Sequence, residues 1–196
     1  EKNEFRFRIG HSKVPYGFEN MQSSQNRLPL DRADAMNSAV TNERDLGVFF
    51  YCAPAKTRKL FSSLVSEGLK GSGDYGVLGI GVYNGQTANR PELNANKHVV
   101  TRASYPVQIK NQVIEAGVQA YKGQFTLLST TSGVGTATDK LYNDERVGAT
   151  FVLYPKPFGI LAEYNIGRGP EYDKLTNSII ESPLKGGFIT ASYKLD

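Results

Sequence analysis

The chain has no tryptophan, a single cysteine, two histidines and two methionines in 196 residues. Each scarcity excludes something. A lone Cys52 has no partner for an internal disulfide, so a disulfide-stapled secreted scaffold is out, and its plain role is a small apolar residue, buried or facing lipid. His11 and His98 with that one cysteine make no ligand cluster at zinc-like spacing, so no metal and no other cofactor is expected. No 18-residue apolar run occurs, which excludes a helical membrane span. A β-barrel span is not excluded, because its strands are short and only half apolar, and the mean hydropathy of −0.38 says little for the same reason. Lys/Arg clusters, Cys/His fingers and recognition-helix patterns are missing too. The net charge of +4 and pI near 9.1 therefore suit an anionic partner of another kind, and nucleic acid is not expected.

Aromatics are plentiful, with 11 Tyr and 10 Phe, and 20 glycines punctuate the chain. Long helical periodicities are scarce, so the reading is all-β with many turns. Strand-like alternation begins at Phe5, where Phe5, Phe7 and Ile9 oppose Arg6, Arg8 and Gly10. It recurs at Leu46–Ala53, Tyr75–Asn84, His98–Pro106, Val113–Phe125, Arg146–Tyr154, Gly159–Ile166 and Gly187–Leu195, making about eight strands. In several of them the second set is small, polar or tyrosine: Gly148, Thr150, Val152 and Tyr154 oppose Val147, Ala149, Phe151 and Leu153. In a soluble sheet the apolar set would face a dry core. In a membrane barrel it faces lipid and the other set faces a watery lumen.

The connections follow a parity. Short turns are expected at Ile109–Gln112 and Pro155–Phe158, and long polar connections at Pro15–Asp45, Gly85–Lys97, Leu127–Glu145 and Gly167–Gly186, as in barrels with short turns on one side and long loops on the other. Lys56–Gly73 breaks it. There Leu60, Phe61, Leu64 and Val65 fall at helical spacing before Gly68 and Gly71, so a short amphipathic helix is expected over Thr57–Leu69, packed under the barrel mouth or offered to a partner. No repeat or linker divides the chain, and one domain over residues 1–196 is expected. The chain lacks an initial Met and both begins and ends on strand patterns, which reads as a mature or truncated piece of something longer.

No catalytic constellation stands out, and an enzyme is not expected. Gly71-Ser72-Gly73-Asp74-Tyr75-Gly76 spells GxGxxG, but a nucleotide fingerprint needs a strand before it and a helix after it, and the order here is reversed. No GxSxG elbow occurs. Carboxylates such as Asp31, Asp34 and Glu163 read as solvated or ion-paired.

What the pattern does offer is a cationic face. Arg6 and Arg8 lie two apart, hence on one side of a strand and roughly 7 Å from each other. Arg102 should share a polar face with Ser104, and Lys194 one with Thr190 and Ser192, while Lys13, Arg27 and Arg32 alternate with Ser, Gln and Asn in the first long connection. Guanidinium forks bind phosphate-like oxyanions bidentately, with ammonium groups as point charges beside them. A line of weak sites of this kind selects anions and still releases them. Ordinary solvated surface charge is the plainer account of the same residues.

The segment RIGHSKVPYGFENMQSSQNRLPLDRADA resembles the signature of the phosphate-selective porin O and P family of Gram-negative outer-membrane channels. LGIGVYNGQTANRPELN, VVTRASYPVQ and PFGILAEYNIGRGPEYD followed by PLKGGFITASYKLD are similar to that family in the same order, so the resemblance covers nearly the whole chain. It implies a trimeric transmembrane antiparallel β-barrel in the outer membrane, with a loop folded into the lumen and arginines and lysines that pass phosphate or other anions. Arg8 and the segment Ser23–Arg27 match the family's motif. Arg6, Lys13, Arg102 and Lys194 join the expected anion-binding, pore-lining set with Arg8 and Arg27, and the 15–45 loop is the expected constriction. Family barrels have about twice as many strands and usually end on an aromatic, so the chain is expected to be incomplete at both ends. The competing expectation is a soluble or periplasmic β-barrel that binds an anionic ligand in a basic cleft. The two differ in where the apolar faces go.

Overall fold

The computed structural model describes residues 4–195. Eight strands form one antiparallel sheet in strict sequence order: β1 (Phe5–Lys13), β2 (Arg44–Cys52), β3 (Leu78–Tyr83), β4 (His98–Ile109), β5 (Gln112–Thr126), β6 (Leu141–Leu153), β7 (Phe158–Asp173) and β8 (Ser178–Tyr193). Among the described residues β1 and β8 each have a strand neighbour on one side only. Three helices interrupt the meander: α1 (Phe18–Met21) and α2 (Asp34–Ala39) in the first connection, and α3 (Ala55–Ser66) in the second. The expected helix over Thr57–Leu69 is therefore present and starts two residues earlier, with Thr57, Phe61 and Leu64 as its buried face.

The alternation read from the sequence sorts side chains onto two faces of opposite chemistry. Phe5, Phe7 and Ile9 are 66%, 69% and 81% exposed, and Val48, Val82, Val99, Val147 and Ile189 share that outward side. Arg6 and Arg8 lie opposite, with Arg102, Glu115, Gln119, Asp144, Glu163 and Asn165 buried on the same inward side. A soluble sheet with one wet face would do the reverse. The outward side carries an apolar band, which on β4 runs from Val99 to Val107, roughly 27 Å of strand at about 3.4 Å per residue. That suits the hydrocarbon thickness a tilted barrel strand crosses. Phe5 stacks on Phe50 across β1 and β2 with centroids 5.9 Å apart.

The packed core sits on the inward side, between the sheet and the first connection. Val14, Tyr16, Met36 and Val40 from that connection meet Phe49, Tyr51, Tyr83, Val100 and Tyr121 of the strands. Towards the opposite end, Phe18 meets Phe61 and Leu64 of α3, together with Val113, Val152 and Tyr154.

Two expectations about connections are corrected. The stretch 167–186 is not a long loop: β7 and β8 pair as far as Asp173 with Ser178, leaving a four-residue turn. β6 likewise starts at Leu141 rather than Arg146. Both extensions lie beyond the apolar band, where neither face of a strand has to be greasy, so the period-2 signal fades although the backbone still pairs.

The two faces make a direct prediction. Ala103 is outward and central on β4. Ala103→Arg should cost about 2–4 kcal/mol of folding stability in lipid vesicles, measured by urea titration, if that face meets hydrocarbon. Were the face in water, the change would lie within roughly 0.5 kcal/mol.

Candidate functional site

The first connection, residues 14–43, folds across the inward face of the sheet. Its ends are closed by the Val14 N–H donating to Glu43 O at 3.1 Å. Its middle is tied to strands far away in sequence. The Tyr16 hydroxyl donates to Asn165 Oδ1 at 2.6 Å, the Glu19 N–H to Glu163 Oε1 at 2.6 Å, and Arg146 donates to the Ser38 carbonyl and hydroxyl oxygens at 3.0 Å. β6 and β7 thus hold a loop that springs from β1, so the loop crosses the interior. Gly17 makes the crossing possible: its φ is +73°, and a Cβ there would collide with Met36 and come within 2.8 Å of Glu163 Oε2.

Inside the loop one carboxylate organises three cations. Glu43 lies 3.1 Å from Lys13 Nζ, 2.6 Å from Arg27 and 4.0 Å from Arg32. Lys13 also donates to the Asn20 and Gln22 carbonyls at 2.8 and 2.5 Å, and Arg32 to Asn20 Oδ1 and the Val40 carbonyl at 2.7 and 2.8 Å. Burial works to raise the Glu43 carboxyl, but the Lys13 hydrogen bond and charge, with Arg27 and Arg32 behind it, outweigh that and hold its pKa below the ordinary 4.5. Glu19 goes the other way: burial raises its pKa against the Ala33 N–H and nearby arginines. The loop's outer turn leaves Ser23, Ser24 and Gln25 exposed.

The six cations singled out from the sequence fall into distinct settings. Arg6 and Arg8 are both inward on β1. Arg6 donates to the Asp74 carbonyl at 2.7 Å and carboxylate at 3.1 Å, and Asp74 also holds Arg58 at 3.1 Å. Arg8 stays exposed, its guanidinium 4.8 Å from the Tyr75 ring centroid and 5.6 Å from that of Tyr51. Lys13 and Arg27 belong to the Glu43 cluster. Arg102 is buried against Glu115 at 3.1 Å; that carboxylate also accepts from the Ser104 hydroxyl, and from the Tyr154 hydroxyl at 2.5 Å. Lys194 reaches the Glu67 carbonyl at 3.1 Å, beyond the end of β8. Among the described residues, Arg8 is the member of this set with neither a carboxylate nor a carbonyl against it. Arg6 and Arg8 are thus brought together, Lys13 and Arg27 are brought together, and Arg102 and Lys194 stand apart.

Sequence reasoning named the cations and left out most of their partners. Glu43, Asp74, Tyr75 and Asn165 are silent in the sequence because their roles depend on convergence across separations that run from 11 positions for Arg32 and Glu43 to 149 for Tyr16 and Asn165, which no local spacing encodes. GxGxxG was dismissed as a nucleotide motif, and its segment instead supplies Asp74 and Tyr75 to the arginine shelf.

The Glu43 cluster yields a pH prediction. A carboxyl whose folded pKa is depressed contributes stability above its unfolded value and loses it as pH falls through the folded one. Loop packing should therefore hold at pH 7 and weaken below about 4.5, the ordinary glutamate value. Limited proteolysis of the loop in folded protein should accelerate over that window. Glu43→Gln should give the open-loop rate already at pH 7, at a cost of roughly 2–3 kcal/mol, since three cations lose their counter-charge in a partly exposed site.

Residues 1–196 match the family model described as phosphate-selective porin O and P. No curated protein sequence and no solved structure matches the chain significantly. A whole-length match, joined to an antiparallel meander whose apolar side faces outward and whose polar side is crossed by an inward loop, is decisive. The chain belongs to the phosphate-selective porin O and P family, a family of Gram-negative outer-membrane porins.

Proposed function

We propose that residues 1–196 act as one barrel-wall domain of an anion-preferring diffusion channel, constricted by the 15–45 loop and assembled in the outer membrane as a homotrimer. Solutes pass down their gradient and no covalent step is involved. The observation that carries this reading is the inversion of faces: the greasy set is outside, and arginines, carboxylates and amides are inside. An anionic-ligand-binding barrel that lived in water would bury the set that is exposed here.

Within the lumen, Arg8 is the leading anion contact. Its guanidinium rests on Tyr51 and Tyr75, which fix its plane without neutralising it. Arg6 stands beside it and keeps Asp74 occupied from the other side. A phosphate-like oxyanion meeting this shelf gains one free fork and a tempered second charge, enough to attract and too little to trap. Lys13, Arg27 and Arg102 are already satisfied by carboxylates. They contribute to the anion path by keeping the loop and the wall in place and by the positive field that Glu43 and Glu115 only partly cancel, while Lys194 adds charge at the short-turn mouth.

Single-channel recording tests it. The folded chain in a planar bilayer under a potassium chloride gradient should reverse on the chloride side, and added phosphate should lower the chloride current. Arg8→Ala should weaken that phosphate block about tenfold, the loss of one charge-assisted hydrogen bond. Arg8→Lys should retain chloride preference while losing most of the block, and Lys122→Gln on the outer face should change neither. A reversal potential on the potassium side, or a block indifferent to Arg8→Ala, would sink the proposal.

A further inference from the structure

At the end of the sheet with the long connections, β2 begins at Arg44, β3 ends at Tyr83, β4 begins at His98 and β6 begins at Leu141. Between these strand ends and residues 38–41, the returning limb of the inward loop, lies a cavity of about 170 Å³. His98 stands in its wall. The imidazole is 3% exposed, meets the Tyr83 ring edge-on at 5.2 Å and stacks on Tyr121 at 5.9 Å. A Cβ at Gly85 or Gly123 would collide with it, so both glycines keep its seat open. One ring nitrogen is used in a hydrogen bond to the Gln124 backbone, and Nε2 has no partner in the protein. The position a Gly85 Cβ would take is 2.5 Å from that nitrogen, and Gly85 lines the cavity as well. A buried polar atom left without a partner calls for one.

Arg44, Arg146, Asp45 and Asp144 are the charged side chains of the cavity wall. Asp45 is spent on the protein: Oδ1 accepts the Leu46 N–H at 2.7 Å, and Oδ2 the Gly85 and Thr87 N–H groups at 2.7 and 3.1 Å. Asp144 accepts the Tyr121 hydroxyl at 2.9 Å and lies 3.5 Å from Arg146 Nε, while another Arg146 nitrogen holds the Ser38 carbonyl. Arg44 is exposed at the rim and, among the described residues, has no carboxylate against it. An occupant therefore meets one unmatched cation, a second that is partly engaged, and one nitrogen in the wall. At neutral pH and above the imidazole is uncharged, and with its proton on the nitrogen facing Gln124 it presents Nε2 as an acceptor. Arginines donate to any oxyanion. An acceptor discriminates: it sets lone pair against lone pair when every oxygen is bare, and is a partner when one oxygen carries a proton.

From this we infer that the cavity is a subsite for oxyanions that carry a proton, hydrogen phosphate and hydrogen arsenate, in which Arg44 and Arg146 attract the charge and His98 Nε2 accepts the O–H. The inference deepens the anion-channel reading above and rests on it. Arg44 pairs in register with Lys13 and Phe49 with Arg8, so the Arg44 rim lies five residues, about 17 Å, from Arg8 towards the long connections. A solute arriving from that side meets the acceptor first and the Arg8 fork after it. With a single unmatched cation at the rim, the hold is weak enough for release.

The scarcity of histidine supplies the test. The chain has two, and the exposed His11 serves as the internal reference for His98. At pH 8 hydrogen phosphate and sulfate are dianions of similar size that differ in the O–H. Imidazole nitrogen NMR of the full chain in detergent micelles should show the His98 Nε2 resonance shifting with inorganic phosphate and with arsenate. Sulfate or selenate should need about tenfold more for the same shift, the worth of one hydrogen bond to a charged group. In planar bilayers phosphate should block the chloride current at correspondingly lower concentration than sulfate, and His98→Phe or His98→Gln should narrow that gap by about the same factor. A His98 resonance that follows sulfate as readily as phosphate would overturn the site. One indifferent to all four anions would overturn it too and assign the cavity to ordered water. Either result leaves a chloride-side reversal potential, and the channel reading with it, standing. The resonance is read on the unaltered chain, so the outcome does not depend on whether a variant folds.

Discussion

Hydrocarbon offers a backbone no hydrogen bonds, so a sheet crossing it must pair its strands, turn its apolar side chains outward, and find polar company for everything that points in. The rest of this molecule follows from that requirement. The outward face is uniform and simple because lipid asks only for greasiness. The inward face is crowded, because a polar surface within a small radius must either be wetted or be filled. Here it is filled on one flank by residues 14–43 and left open at Arg8.

Filling the interior with a loop creates an electrostatic problem, met with carboxylates. Lys13 points inward from the end of β1 and Arg27 and Arg32 are carried inward by the loop, and burying three cations together without a counter-charge would cost several kcal/mol each. Glu43, at the point where the loop rejoins the wall, gathers them. Glu115 does the same for Arg102 and Asp144 for Arg146. Most of the positive charge on the inward face is thus spent on holding the architecture. Few cations are left without a carboxylate, Arg8 among them.

The wall and the loop are coupled through long-range contacts rather than through the sheet alone. Tyr16 to Asn165 and the Glu19 amide to Glu163 join residues 149 and 144 positions apart. α3 contributes Phe61 and Leu64 to the cluster around Phe18, so the helix that breaks the short-turn parity also steadies the inward loop. The glycines at 17, 79 and 81 make room for this packing, where Met36, Tyr51 and Phe49 press against backbone.

The sequence by itself determined the strand count, the face each side chain takes and the family, because period-2 alternation is a local property of the chain and the porin motifs are contiguous. It determined that Arg6 and Arg8 share a face and that α3 exists. It could not determine which face is wet, since alternation reads the same in a soluble sheet and in a membrane wall. Nor could it trace strands past the apolar band, where β7 and β8 continue without a greasy side. Only the tertiary structure decided which cations are free. Arg27 and Arg8 look alike in sequence, but one folds onto Glu43 from 16 residues away and the other onto tyrosine rings that leave its charge intact. Charge pairing is set by distance in space, and the chain encodes that distance only through the complete fold.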